Sequence, residues 1–138
     1  MTSTIDIRVA GFHLGARLET GVAPRSCAAF LGLLPLHARL VQARWSGEAA
    51  WVPLGDLDLH LPYENATSYP APGHLLLHPG GVSETEVLFP YGTTVFSSKV
   101  GQLAGNHFAT IEDGLAHLPE IGRCILWDGA QDATFEAR

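Results

Sequence analysis

Hydrophobic and polar residues alternate along most of this chain, and the period is more often two than 3.6. Ile5, Ile7 and Val9 alternate with Asp6 and Arg8, Gly11 interrupts, and Phe12 to Glu19 resumes with Leu14, Ala16 and Leu18 on one face. Two such runs around a glycine predict a β-hairpin, because residues i and i+2 of a strand share a face. Val22 to Leu34 breaks the pattern. There Ala28, Phe30, Leu31 and Leu34 make one apolar side of a helix, Pro24 suits its first turn, and Pro35 stops it. From His37 to Trp45 the period returns to two, Ser46-Gly47 is a turn signal, and Ala49 to Leu54 reads as the partner strand. Leu57, Leu59 and Leu61 alternate with Asp58 and His60, which predicts one more.

Pro62 to Gly73, "PYENATSYPAPG", is a loop, and loops of this length in small domains often carry function. "HLLLHP", "TEVLFPYG" and "TTVFSSKVG" follow as strands, with "GGVSE" as a turn between the first two. Thr110 followed by Asp113 resembles a capping box and predicts a short helix from about Glu112 to Leu118. "RCILWD" reads as a closing strand and "DATFEAR" as one more. Eight or more short strands with two helices predict a mainly β fold. It is a closed barrel of about eight strands, occupying residues 1–138 as a single domain.

Composition narrows the function classes. Hydrophobic residues are 46% of the chain and charged ones 16%, which is a globular balance. The net charge of -6 and eight scattered Lys and Arg residues argue against a nucleic-acid partner, which would need a clustered basic patch. No apolar run reaches membrane-spanning length, and the first residues lack the basic and apolar segments of an export signal. The expectation is a cytoplasmic, bacterial-type protein without a membrane partner. Cys27 and Cys124 then read as reduced core residues.

Candidate chemistry concentrates in three segments. In "RWSGEAAW", Arg44 beside Trp45 and Trp51 suits a guanidinium clamp for a carboxylate or amide carbonyl with an indole wall. The plainer alternative is an exposed arginine paired with Glu48 across the turn. In "GQLAGNHFATI", Asn106 offers an amide to a ligand and His107 a group that titrates near neutral pH. The glycines flanking them would let backbone approach a ligand closely, or relieve a barrel corner. In "YENATSY", Glu64, Asn65 and Tyr69 suit a lid over a small molecule, and the tyrosines equally suit a subunit interface. Ser83, Glu84 and Glu86 read as a solvated turn. His74 and His78 are four apart on a strand, about 13 Å at roughly 3.3 Å per residue, too far to share a metal. No metal-ligand spacing, phosphate loop, dinucleotide fingerprint or Gly-x-Ser-x-Gly motif occurs, so no metal and no cofactor are expected.

The order of elements and the blocks "RWSGEAAW", "PYENATSYPAPG", "PGGVSETEVLFPYG" and "SSKVGQLAGNHFATI" resemble a family of small bacterial cyclophilin-like proteins catalogued as a domain of unknown function. The resemblance covers roughly Ile5 to Asp128 and implies an eight-stranded cyclophilin-like barrel capped by helices. It does not carry over proline isomerisation. Cyclophilins place their catalytic arginine after a Phe-His pair and ahead of a Gln-Gly-Gly-Asp segment. Here Gln42-Ala43 precedes Arg44, Trp45 follows, and no such segment occurs.

Taken together, the sequence predicts a pocket lined by Arg44, Trp45, Glu64, Asn65, Tyr69, Asn106 and His107 that binds a small carboxylate- or amide-type metabolite. His107 and Arg44 are the groups that would act if a reaction is catalysed. Two alternatives stand beside this reading. One is a divergent prolyl isomerase resting on Arg44 alone. The other is a non-enzymatic interaction or accessory subunit, with a homodimer as one form.

Overall fold

Strand β1 (Thr4–Val9) turns through Ala10-Gly11 into β2 (Phe12–Leu18), the hairpin that the alternating runs predict. The structure is a computed structural model describing residues 3–138. Helix α1 (Pro24–Leu31) leads to β3 (Leu36–Gln42), a 3-10 turn (Arg44–Ser46) and β4 (Gly47–Pro53). The short β5 (Ala66–Thr67), β6 (His74–His78) and β7 (Glu86–Thr94) follow. A small hairpin of β8 (Ser97–Ser98) and β9 (Gly101–Gln102) comes next, then β10 (Gly105–Asp113), α2 (Leu118–Asp128) and β11 (Gln131–Ala137). The strands pair antiparallel in the order β2-β1-β11-β3-β4-β7-β6-β10, and β10 returns to β2. Eight strands therefore close into a barrel, and closure removes the free edges that an open sheet would expose.

Alternation decides what each strand face meets. Val87, Phe89 and Tyr91 of β7 join Ile5, Ile7, Leu14 and Phe135 in the main core. Helix α1 contributes Phe30, fully buried, with ring centroids 4.8 Å from Phe108 and 5.8 Å from Phe135. Burying one such ring stabilises the fold by on the order of 2–3 kcal/mol. Helix α2 buries Leu118, Ile121, Gly122 and Ile125. It lies so close that a Cβ on Gly122 would come within 2.1 Å of the Tyr91 ring. Leu88 of β7 faces the other way. With Ala49 and Leu76 it forms a second apolar cluster outside the barrel wall. Phe96 and Leu103, just before β8 and just after β9, complete that cluster and pin the β8–β9 hairpin down as a flap.

Several expectations change. The first helix is shorter than Val22–Leu34, because the chain tightens after Leu31 into Leu33 N–H to Phe30 carbonyl and Leu34 N–H to Leu31 carbonyl bonds. Leu57–Leu61 is no strand. His60 has φ +54 and its N–H is bonded by Asp58 Oδ1, while Leu59 and Leu61 pack against the main core from an irregular segment. "TTVFSSKVG" splits between the end of β7 and the first arm of the flap. The helix expected over Glu112–Leu118 starts only at Leu118, after a 3-10 turn, because β10 runs on to Asp113 and Gly114 (φ +83) makes the turn. "RCILWD" lies inside α2: Leu118, Ile121 and Ile125 are buried at helical spacing, and a short apolar run does not distinguish helix from strand. Among the described residues no helix is long and apolar enough to cross a membrane.

Candidate functional site

The outer faces of β4, β7 and β6 form a ladder whose register fixes the side chains side by side. Trp51 lies opposite Leu88, and Leu88 opposite Leu76. Two residues along β7, Glu86 lies opposite Pro53 on one side and His78 on the other. Residues two apart share a face, so Trp51, Glu86 and His78 rim the outer cluster. The flap covers the apolar part of this patch and stops short of its polar end. What remains is a cavity of about 240 Å³ lined by Trp45, Trp51, Glu86, the loop residues Ser83 and Glu84, and Ser98 and Lys99 of the flap.

Polar groups on this outer face are poorly partnered. Trp51 Nε1 is buried without a hydrogen-bond partner, and so is His78 Nε2. Glu86 is 3% exposed, and burial, reinforced by the nearby Glu84, raises its carboxyl to about 8. At neutral pH it is therefore mostly a neutral acid. Burial lowers the His78 imidazole, whose Nδ1 lies 3.0 Å from the Glu84 carbonyl oxygen. Trp45 is half exposed, and its ring meets that of Trp51 edge-on, with centroids 5.8 Å apart at 75°. The flap is held on both sides of this corner. Ser97 N–H donates to Ser46 Oγ at 3.0 Å, and Gln102 Nε2 donates to the Tyr69 hydroxyl at 3.3 Å.

The other expected site residues lie elsewhere and do not converge on one pocket. Asn106 is fully buried: Oδ1 accepts from Glu64 N–H at 3.0 Å, while Nδ2 donates to Ser26 Oγ at 2.9 Å and to the Pro62 carbonyl at 3.0 Å. The amide thus ties β10, α1 and the loop together. Glu64 is likewise occupied, its Oε1 accepting from Ser26 N–H at 2.6 Å. Ser26 lies in the first turn of α1, where N–H groups lack helical partners, so Glu64 caps a helix that has no cap of its own. Asn65 brackets the His107 backbone, with Nδ2 donating to its carbonyl at 2.9 Å and its own carbonyl accepting from His107 N–H at 3.1 Å. The glycines of the segment have separate tasks. Gly101 (φ +114) belongs to the flap turn, and a Cβ on Gly105 would come within 2.8 Å of the Phe96 ring.

Arg44 is exposed and lines a different groove, of about 430 Å³, with Tyr91, Arg123 and Trp127 beside α2. Glu48 lines the same groove and uses Oε1 to accept from Thr93 N–H at 2.9 Å. Between β4 and the His107 strand lie β7 and β6, about 14 Å of wall at roughly 4.8 Å per step. Arg44 and His107 therefore do not form the joint site that the sequence predicts. His107 belongs to a hydrogen-bonded chain of its own. Its Nε2 is 2.8 Å from Thr110 Oγ1, which donates to Glu19 Oε2 at 2.6 Å, and its ring stacks on His74 at 4.3 Å. Burial first, and His74 second, lower the His107 imidazole. No cluster of three or more His, Cys, Asp or Glu side chains suited to a metal occurs among the described residues.

Sequence reasoning assigned Glu86 to a solvated turn. The available signal was the alternation itself, which puts Glu86 on the face of Leu88, opposite that of Val87 and Phe89.

Comparison with known proteins places this geometry in context. A family profile described as protein of unknown function (DUF3830) matches residues 5–137. A search of curated proteins finds no match. Among solved structures, the chain is similar to McbB in complex with tryptophan, with TM-score 0.74 and 18% identity over 97% of this chain and 44% of that one. It thus spans under half of the McbB chain. It is also similar to the solution structure of the hypothetical protein AF2241 from Archaeoglobus fulgidus, with TM-score 0.65 and 16% identity over 99% of this chain and 95% of that one. At these identities the likeness is one of fold.

Proposed function

The chain belongs to the DUF3830 family, whose function is unknown, and from that premise we propose that it binds a small molecule in the cavity between Trp45, Trp51 and Glu86. The observation that carries this reading is the convergence, in the wall of one cavity, of two indoles with Glu86, a carboxyl that is 3% exposed. Two indoles and a few convergent polar groups are the usual make-up of a small-molecule site. One protein of similar fold, McbB, has been solved with tryptophan, which agrees in kind with a small-molecule ligand.

A thermal-shift screen of small fragments against the wild type, Trp45→Ala and Trp51→Phe tests the reading. A ligand at about 100 times its dissociation constant stabilises the fold by roughly 2.7 kcal/mol, a shift of several degrees. Hits should lose their shift in both variants. Hits that shift all three proteins equally bind elsewhere, and the reading falls.

The interaction-module reading keeps one observation in its favour. On α2, Trp127 is 78% exposed beside Leu126, which is 36% exposed. A sedimentation profile that stays monomeric at high concentration would remove a self-association surface there.

A further inference from the structure

The chemistry of the cavity wall goes one step further, resting on the reading of that cavity as a binding site. Trp45 and Trp51 supply two aromatic walls that meet edge-on. Glu86 presents a carboxyl with no hydrogen-bond or ion-pair partner among the described residues. The geometry points to a planar carboxamide, lactam or ureide edge as the ligand group, seated on Glu86 with its attached ring in the corner between Trp45 and Trp51.

Three edges could be offered to this wall, and the neighbouring charges choose among them. A carboxylate would meet Glu84 and Glu86, with only Lys99, on the exposed flap turn, to offset them. An ammonium would need an ionised Glu86. Yet burial keeps that carboxyl protonated up to about 8, and His78, opposite it on β6, has its own imidazole lowered and so adds no charge to draw the proton away. A neutral carboxyl has a donor and an acceptor side by side. Its complement is an N–H beside a C=O, which closes two hydrogen bonds at once. The two indoles, tilted at 75°, let a planar ligand stack on one ring and meet the edge of the other.

Benzamide, benzoate and benzylamine carry the same ring with three different edges, and their titration against Trp45 and Trp51 fluorescence in a Trp127→Phe background tests the assignment. Benzamide should bind at least about tenfold more tightly than the other two at pH 7, and weaken by about tenfold per pH unit once Glu86 ionises above 8. Glu86→Gln should keep benzamide binding, because a carboxamide is equally self-complementary, and should lose the pH dependence. Glu86→Leu should abolish binding. If benzylamine or benzoate binds and benzamide does not, the cavity reading stands and the amide edge is wrong. Benzamide binding that survives Glu86→Leu also overturns it. If none of the three changes the fluorescence up to about 50 mM, beyond the millimolar range expected of single-ring ligands, both readings fail together.

Discussion

Glu86 lies directly opposite His78 on the β6–β7 ladder, and neither side chain has a full set of polar partners. The two titrate in opposite senses on folding. The folded Glu86 carboxyl is raised from 4.5 to about 8, so the folded protein keeps a proton that the unfolded chain releases between those values. Its contribution to stability is complete below pH 4.5 and is lost as pH rises through 8. Unfolding free energy should therefore fall by up to about 1.4 kcal/mol per pH unit across that window, and Glu86→Gln should flatten the slope. Urea titrations at pH 5, 7 and 9 would check this. His78 works the other way: its lowered value costs stability as pH falls below its ordinary 6.5.

The Asn106 amide joins three parts of the chain, and its loss should be felt in stability and not in binding. Asn106→Ala leaves Glu64 N–H, Ser26 Oγ and the Pro62 carbonyl short of a partner. The expected destabilisation is about 3 kcal/mol, or roughly 10 °C in Tm for a chain of this length. Calorimetry measures it. A Tm within a degree or two of wild type would show that the tie carries no weight.

Gly122→Ala sets helix propensity against packing. Alanine gains about 1 kcal/mol over glycine within a helix. Its Cβ, however, would sit 2.1 Å from a Tyr91 ring carbon, and overpacking of this kind costs about 1–3 kcal/mol or more. Packing should win, for a net loss of up to about 2 kcal/mol, and Tyr91→Leu should relieve part of it in the double variant. Additive effects of the two changes would contradict the contact.

Glu19 fixes the tautomer of His107 through Thr110. The hydrogen bonds from Thr110 and Arg17 outweigh burial and lower the Glu19 carboxyl, which is then an acceptor only. Thr110 must give it the hydroxyl proton and receive the His107 Nε2–H. Nitrogen-15 spectra at neutral pH should show the Nε2–H form in the wild type and a loss of that preference in Thr110→Val. A wild-type Nδ1–H form would break the chain.

The barrel is largely legible in the sequence because period-two alternation survives in β1 and β2, where Ile5, Ile7, Val9, Leu14, Ala16 and Leu18 meet the core. The failures share a physical cause. Six residues of "RCILWD" are too few to separate a buried helix from a strand, and Leu59 and Leu61 find the core without a ladder. Asn106 is rightly conspicuous in the sequence, but its partners, Ser26, Pro62 and Glu64, are 42 to 80 residues away. Burial of Glu86 likewise depends on distant segments, Trp45 and Trp51 before it and the flap after it. Neighbour-by-neighbour reading does not reach such contacts.

On β7 the residues that answer to the core and those that answer to the outer patch take turns, Val87, Phe89 and Tyr91 against Glu86 and Leu88. The strand is in effect two short messages written on alternate letters. One specifies the barrel, and the other specifies the patch on its outside. Substitutions in the second message can thus reshape the outer patch through Glu86, Leu88 and the flap while leaving every residue of the first in place.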